Sequence, residues 1–134
     1  MKGVYALIIH LTKDVEVNVG ALRKIPFKKG LYTYVGSAQN NLELRIKRHL
    51  RKEKRLFWHI DYLLNCGNAE IVEVFHKQAS KSEECTIASE INRHGEAIFG
   101  FGCSDCRCRS HLFRVENGKF LTDSMRILRL EEST

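Results

Sequence analysis

The chain has 134 residues, 43% hydrophobic and 28% charged, with a single proline. That is the composition of one globular domain long enough to bury a core, and it excludes a proline- or glycine-rich linker and a disordered tail. No apolar run approaches the roughly 20 residues of a membrane-spanning helix, so no membrane partner is expected. The formal charge is +6 with a pI near 9.2. Five of those six charges come from residues 41–55, where Arg45, Lys47, Arg48, Arg51, Lys52, Lys54 and Arg55 face only Glu43 and Glu53. A focused basic patch favours a polyanionic partner such as nucleic acid, because phosphate contacts release counterions. The plainer reading is a solvated helix face.

Residues 3–11 form a nearly continuous apolar run, which suits a strand buried on both faces. No small-residue cleavage site follows this start, so it reads as a strand and not a leader, and the chain is expected in the cytoplasm. Five cysteines in such a chain do not make a disulfide framework. Lys13-Asp14 is a turn, and Val15 to Val19 alternates as a half-buried strand hairpinned to the first. Residues 20–29 form a loop. Gly30-Leu31-Tyr32-Thr33-Tyr34-Val35-Gly36 is a third strand, with Tyr32 and Tyr34 on one face and Leu31, Thr33 and Val35 on the other. Like-facing neighbours sit roughly 6.5–7 Å apart, so the two phenol hydroxyls should lie side by side.

Asn40 or Asn41 caps the following helix, with Leu42, Ile46 and Leu50 as its apolar seam. Arg45 and His49 fall on the neighbouring stripe, between core and solvent. Residues 56–66 read as a second helix burying Phe57, Ile60, Leu63 and Leu64, with His59 and Asp61 pointing apart. Ala69 to Phe75 is a strand. Ser82 caps a third helix running to about Arg93, with Glu83 and Glu84 in its first turn, Ile87, Ala88 and Ile91 inward, and Gly95 at its end. A Gly/Cys-rich segment follows from Phe99. Asn117-Gly118 between two apolar stretches predicts a C-terminal hairpin, and Ser124 to Leu130 a last strand or short helix. The expected organisation is one domain over 1–134, with a core at 1–95 and the Cys-rich segment and hairpin at 99–134.

Phosphodiester cleavage needs an activated nucleophile, a cation for the developing charge and, commonly, a metal held by a carboxylate. Tyr32 and Tyr34, Arg45 with His49, and Glu84 supply candidates in that order. On these residues the chain resembles the GIY-YIG nuclease superfamily. The tripeptides Gly30-Leu31-Tyr32 and Tyr34-Val35-Gly36, the run Leu42-x-x-Arg45-Ile46-x-x-His49 and an acidic residue in a later helix carry the resemblance. It extends over residues 1–115. Trp58 to Tyr62 and the segment Cys103 to His111 are most similar to the small archaeal and bacterial subgroup that is sometimes fused to a DNA-repair glycosylase.

The resemblance implies a small α+β fold, with a three-stranded, mainly antiparallel sheet flanked by helices. It implies a DNA endonuclease acting in repair or recombination, with a DNA-repair enzyme as a candidate partner. It also implies Mg²⁺ or Mn²⁺ on Glu84, with Glu83 and Glu90 as rivals. Tyr32 would be base or proton relay, Tyr34 would orient the phosphate or the water, and Arg45 would steady the phosphoryl charge. The asparagine that many members carry shortly after the glutamate has no convincing equivalent here. Lys47, Arg48, Arg51, Lys52, Lys54 and Arg55 would hold the nucleic-acid backbone.

Cys103-x-x-Cys106-x-Cys108-x-x-His111 offers three thiolates and an imidazole, a donor set that suits Zn²⁺. Cys66, Cys85 or His59 could replace one or two of these ligands, and buried thiols in a loop are the plainer reading. His10, His76 and His94 have no recognisable partners. A non-catalytic nucleic-acid-binding module of the same fold is the alternative function, and a redox or metal-handling protein a more distant one.

Overall fold

The computed structural model describes residues 2–51, 55–56, 58–98, 100–102 and 110–127. Its central strand is β1 (Gly3–Leu11), buried throughout except at His10. A strand so apolar needs cover on both faces and both edges. Its edges pair antiparallel with β4 (Gly30–Ala38) and β5 (Ala69–Lys77). β7 (Leu112–Val115) then pairs with β4, β6 (Gly95–Ala97) with β7, and β8 (Arg126–Ile127) with β5, each antiparallel. The order is β6-β7-β4-β1-β5-β8. The fold is α+β with an antiparallel main sheet, as expected, but that sheet has six strands and not three.

Two segments pair differently from the expectation, and both follow from which edges are free. β2 (Val15–Asn18) cannot hairpin onto β1, whose two edges are already taken. It pairs instead with β3 (Lys24–Phe27), inside the stretch read as a loop, as a separate two-stranded sheet. Pro26 is tolerated there because a two-stranded ribbon leaves outward N–H positions unpaired. The C-terminal hairpin does not form either. The Asn117 side chain accepts the Lys119 N–H at 2.9 Å, and the chain enters a 3-10 turn, Lys119–Asp123, which plugs Leu121 into the core. β7 is left to extend the main sheet.

Three helices complete the fold. α1 (Leu42–Leu50) is capped by Asn41, whose side chain accepts the Leu44 N–H. It buries Leu42, Ile46 and His49. Leu50 is 39% exposed, so the histidine and not the leucine completes the buried stripe. α2 (His59–Leu64) starts three residues later than its apolar pattern suggested, because Asp61 folds back to accept the Trp58 N–H at 2.8 Å. Phe57 lies outside the described residues. In α3 (Ser82–Asn92), Ser82 is the first helical residue and not a cap, its hydroxyl meeting that of Ser80, while Glu83 and Glu84 occupy the first turn as expected. Gly95 opens β6 and does not merely end the helix.

The sheet is buried on both faces. Tyr5, Leu7, Ile9, Tyr32, Tyr34 and Phe101 pack with α1, α2 and the β2–β3 ribbon. Val4, Ala6, Ile8, Val35, Phe75 and Phe113 pack with α3 and the 3-10 turn. Each fully buried Ile, Leu or Phe contributes about 1.5–3 kcal/mol, and Ile87, Ala88 and Ile91 bury the inner face of α3. Among the described residues no helix is long and apolar enough to cross a membrane.

Candidate active site

The register of β1 against β4 sets the site. Tyr5 lies directly opposite Gly36, and a Cβ at position 36 would overlap the Tyr5 hydroxyl. Glycine here makes room for a phenol from the neighbouring strand. Tyr5, Tyr34, Gly36, Ser37, Arg45, Trp58, Lys81, Glu84 and Gly102 line a cleft of about 150 Å³ between α1 and the start of α3. Of the expected residues, Tyr34, Arg45 and Glu84 meet in this cleft. His49 stands behind it, its Nε2 2.6 Å from the Tyr5 hydroxyl.

Tyr32 does not join them. Its hydroxyl donates to the Lys28 carbonyl at 2.6 Å and its ring packs edge-on against Phe27. The two phenols of β4 share a face, but their hydroxyls are not side by side. The Tyr34 ring lies 6.5 Å from that of Tyr5, which supplies the second phenol of the cleft. The tripeptide Gly3-Val4-Tyr5 carried the signal for this residue: it repeats the Gly-x-Tyr of Gly30-Leu31-Tyr32 on a buried strand.

Arg45, Ser37 and Glu84 are tied to the fold. Arg45 donates to the Ser37 carbonyl at 3.0 Å, and its guanidinium lies 4.5 Å from the centre of the Trp58 ring. Ser37 donates its hydroxyl to Glu84 Oε2 at 3.1 Å, and His111 Nδ1 lies 3.2 Å from Glu84 Oε1. Glu83, the first rival to Glu84, instead pairs with Lys77 at 3.5 Å, and Glu90 does not line the cleft. Tyr34 makes no hydrogen bond among the described residues, so its hydroxyl is available to a ligand. Burial pushes the Tyr34 and Tyr5 phenols well above their ordinary pKa, against the pull of Arg45. Both are neutral hydrogen-bond donors at neutral pH.

Residues 4–131 match the model of DUF123, a domain of unknown function. The chain belongs to that family. No curated protein and no solved structure matches it.

The basic helix of this DUF123 chain is divided in use. Lys47, Arg51 and Arg55 are exposed, while Lys52 and Lys54 lie outside the described residues. Arg48 turns inward and grips the fully buried Asp61 with two bonds of 2.9 and 3.0 Å. It also donates to the Arg55 carbonyl and lies 4.2 Å from the centre of the Trp58 ring. Of the expected backbone-binding cations, Arg48 is therefore committed to holding α1 on α2.

Cys103, Cys106 and Cys108 also lie outside the described residues. His111 Nδ1 faces Glu84 Oε1 at 3.2 Å and is not turned toward a metal of its own. His59 uses Nδ1 to accept the Gly102 N–H at 2.8 Å, and burial lowers its pKa. Cys66 and Cys85 are half-buried. His94 stacks on Phe120, with ring centres 4.4 Å apart. Among the described residues no three His, Cys, Asp or Glu side chains gather as a metal cage. One carboxylate beside a serine hydroxyl suits a hard cation that keeps most of its water, such as Mg²⁺ or Mn²⁺.

Proposed function

We propose that this chain is a metal-assisted endonuclease that cleaves phosphodiester bonds of nucleic acid, with DNA as the expected substrate. The observation that carries this reading is the meeting of two phenols, one guanidinium and one carboxylate from four separate elements in a single small cleft. A cleft of about 150 Å³ has room for one phosphate group. The GIY-YIG resemblance supports it, with its tripeptides reassigned to Gly3-Val4-Tyr5 and Tyr34-Val35-Gly36 on the neighbouring strands β1 and β4.

In this reading Arg45 binds a non-bridging oxygen and stabilises the charge that builds on the phosphoryl group. Tyr34 donates a hydrogen bond to the phosphate or the water. The Tyr5 phenol, raised in pKa, is a poor base alone. With Nε2 of His49 unprotonated, it can pass its own proton to His49 while it takes one from the attacking water. Glu84 would hold Mg²⁺ or Mn²⁺, which supplies Lewis-acid polarisation of the phosphate when bound. The exposed Lys47, Arg51 and Arg55 would hold the nucleic-acid backbone.

The test is nicking of plasmid and branched DNA with Mg²⁺ or Mn²⁺. Wild type should cut, and Arg45→Ala and Glu84→Gln should each lose at least 10²-fold while remaining folded. Binding without cutting under either metal would leave only a nucleic-acid-binding module.

A further inference from the structure

We propose that His111 is a positioning residue that fixes the Glu84 carboxylate in advance for divalent-cation binding; this rests on the endonuclease reading. Glu84 projects from the first turn of α3, on a side chain with three rotatable torsions. Left to itself it would sample many directions, and capture of a cation would have to order it. Here both oxygens are engaged: Ser37 donates to Oε2 at 3.1 Å, and His111 Nδ1 stands 3.2 Å from Oε1. Each carboxylate oxygen keeps a second lone pair, so neither contact excludes a cation.

The histidine is itself held. It is 3% exposed. Its backbone N–H donates to the Phe101 carbonyl at 2.9 Å, and its carbonyl accepts the Val35 N–H at 2.9 Å. Val35 stands between Tyr34 and Ser37 on β4. His111 therefore ties the carboxylate of α3 to the strand that carries a cleft phenol and the serine, and sets them in one frame. Its Cβ closes against Gly102, where an added Cβ would stand only 3.2 Å away. Partners of this kind, one step removed from a metal, tune its affinity without touching it.

Two measurements test this. In ¹⁵N NMR of the wild-type protein at neutral pH, the His111 proton should reside on Nδ1; a bare Nδ1 overturns the proposal. Mn²⁺ binding to protein free of nucleic acid, followed by electron paramagnetic resonance, gives the second readout. His111→Phe should weaken binding by about 10- to 100-fold. His111→Asn, whose amide N–H can take the place of Nδ1–H, should stay within about threefold of wild type. Saturating Mn²⁺ should restore cutting by the Phe variant. Wild-type Mn²⁺ affinity in the Phe variant, or equal weakening in both variants, overturns the positioning role alone. A wild-type protein that binds no Mn²⁺ overturns this and the metal-assisted reading together. If the Phe variant does not fold, the tautomer and the Asn variant decide.

Discussion

Tyr5 and Tyr32 are buried phenols on the same face of paired strands, yet their hydroxyls have different partners: His49 for one, the Lys28 carbonyl for the other. Tyr5→Phe should therefore cost 10²-fold or more in nicking rate, along with about 1 kcal/mol of stability for its lost hydrogen bond to His49. Tyr32→Phe should cut within a few-fold of wild type but lose about 1 kcal/mol of stability, the net worth of one hydrogen bond. Nicking assays and urea unfolding read both, and equal losses of activity would remove Tyr5 from the mechanism. His59 makes a second distinction at this scale. It is built into the fold as a neutral acceptor for Gly102, with its pKa held below the usual 6.5 by burial. The unfolded chain binds a proton there that the folded chain resists. Its contribution is complete above about pH 6.5 and is lost as pH falls through the lowered folded value. The urea midpoint should drop between pH 7.5 and 5, and His59→Asn should flatten that drop. An identical pH slope in the two proteins would refute the assignment.

At the scale of elements, α1 serves two masters. It carries exposed Lys47 toward solvent, with exposed Arg51 capping its C-terminus, and sends Arg48 down to Asp61 at the start of α2. Asp61 also accepts the Trp58 N–H, so one fully buried carboxylate joins both helices and Trp58. Asp61→Ala strands the guanidinium beside an unfilled space and should cost about 3–5 kcal/mol, measured by urea unfolding. A loss below about 1 kcal/mol would show the pair to be peripheral. The order of elements also explains the edges of the sheet. β1 has no free edge, so β2 was diverted to its own ribbon; β7 is flanked by β4 and β6, and the residues after Asn117 enter a 3-10 turn.

For the whole molecule, the charge asymmetry of residues 41–55 has a measurable signature. Each phosphate contact made by a lysine or arginine contributes about 0.9 to the slope of log affinity against log salt. Lys47→Ala and Arg51→Ala should each flatten the slope by about 1. Arg48→Ala should leave the slope nearly unchanged while lowering stability, because that guanidinium is spent on Asp61. DNA affinity that does not change between low and physiological salt would remove the nucleic-acid partner.

The sequence alone determined the elements whose pattern is local. The apolar run of β1, the strand at Ala69 to Phe75, a cap at Asn40 or Asn41 and the acidic first turn of α3 all depend on neighbours a few residues away. It also brought out Tyr34, Arg45, His49 and Glu84, because each sits beside a recognisable strand or helix pattern. What only the tertiary structure decided is pairing across distance. Which phenol faces the cleft depends on the register of β1 against β4, where Gly36 clears space for Tyr5 from a strand 31 residues earlier. Which cations stay in solvent depends on where Asp61 comes to rest. Which strands join the sheet depends on which edges earlier strands have left open, and a backbone hydrogen bond carries no mark in the sequence of the partner it will find.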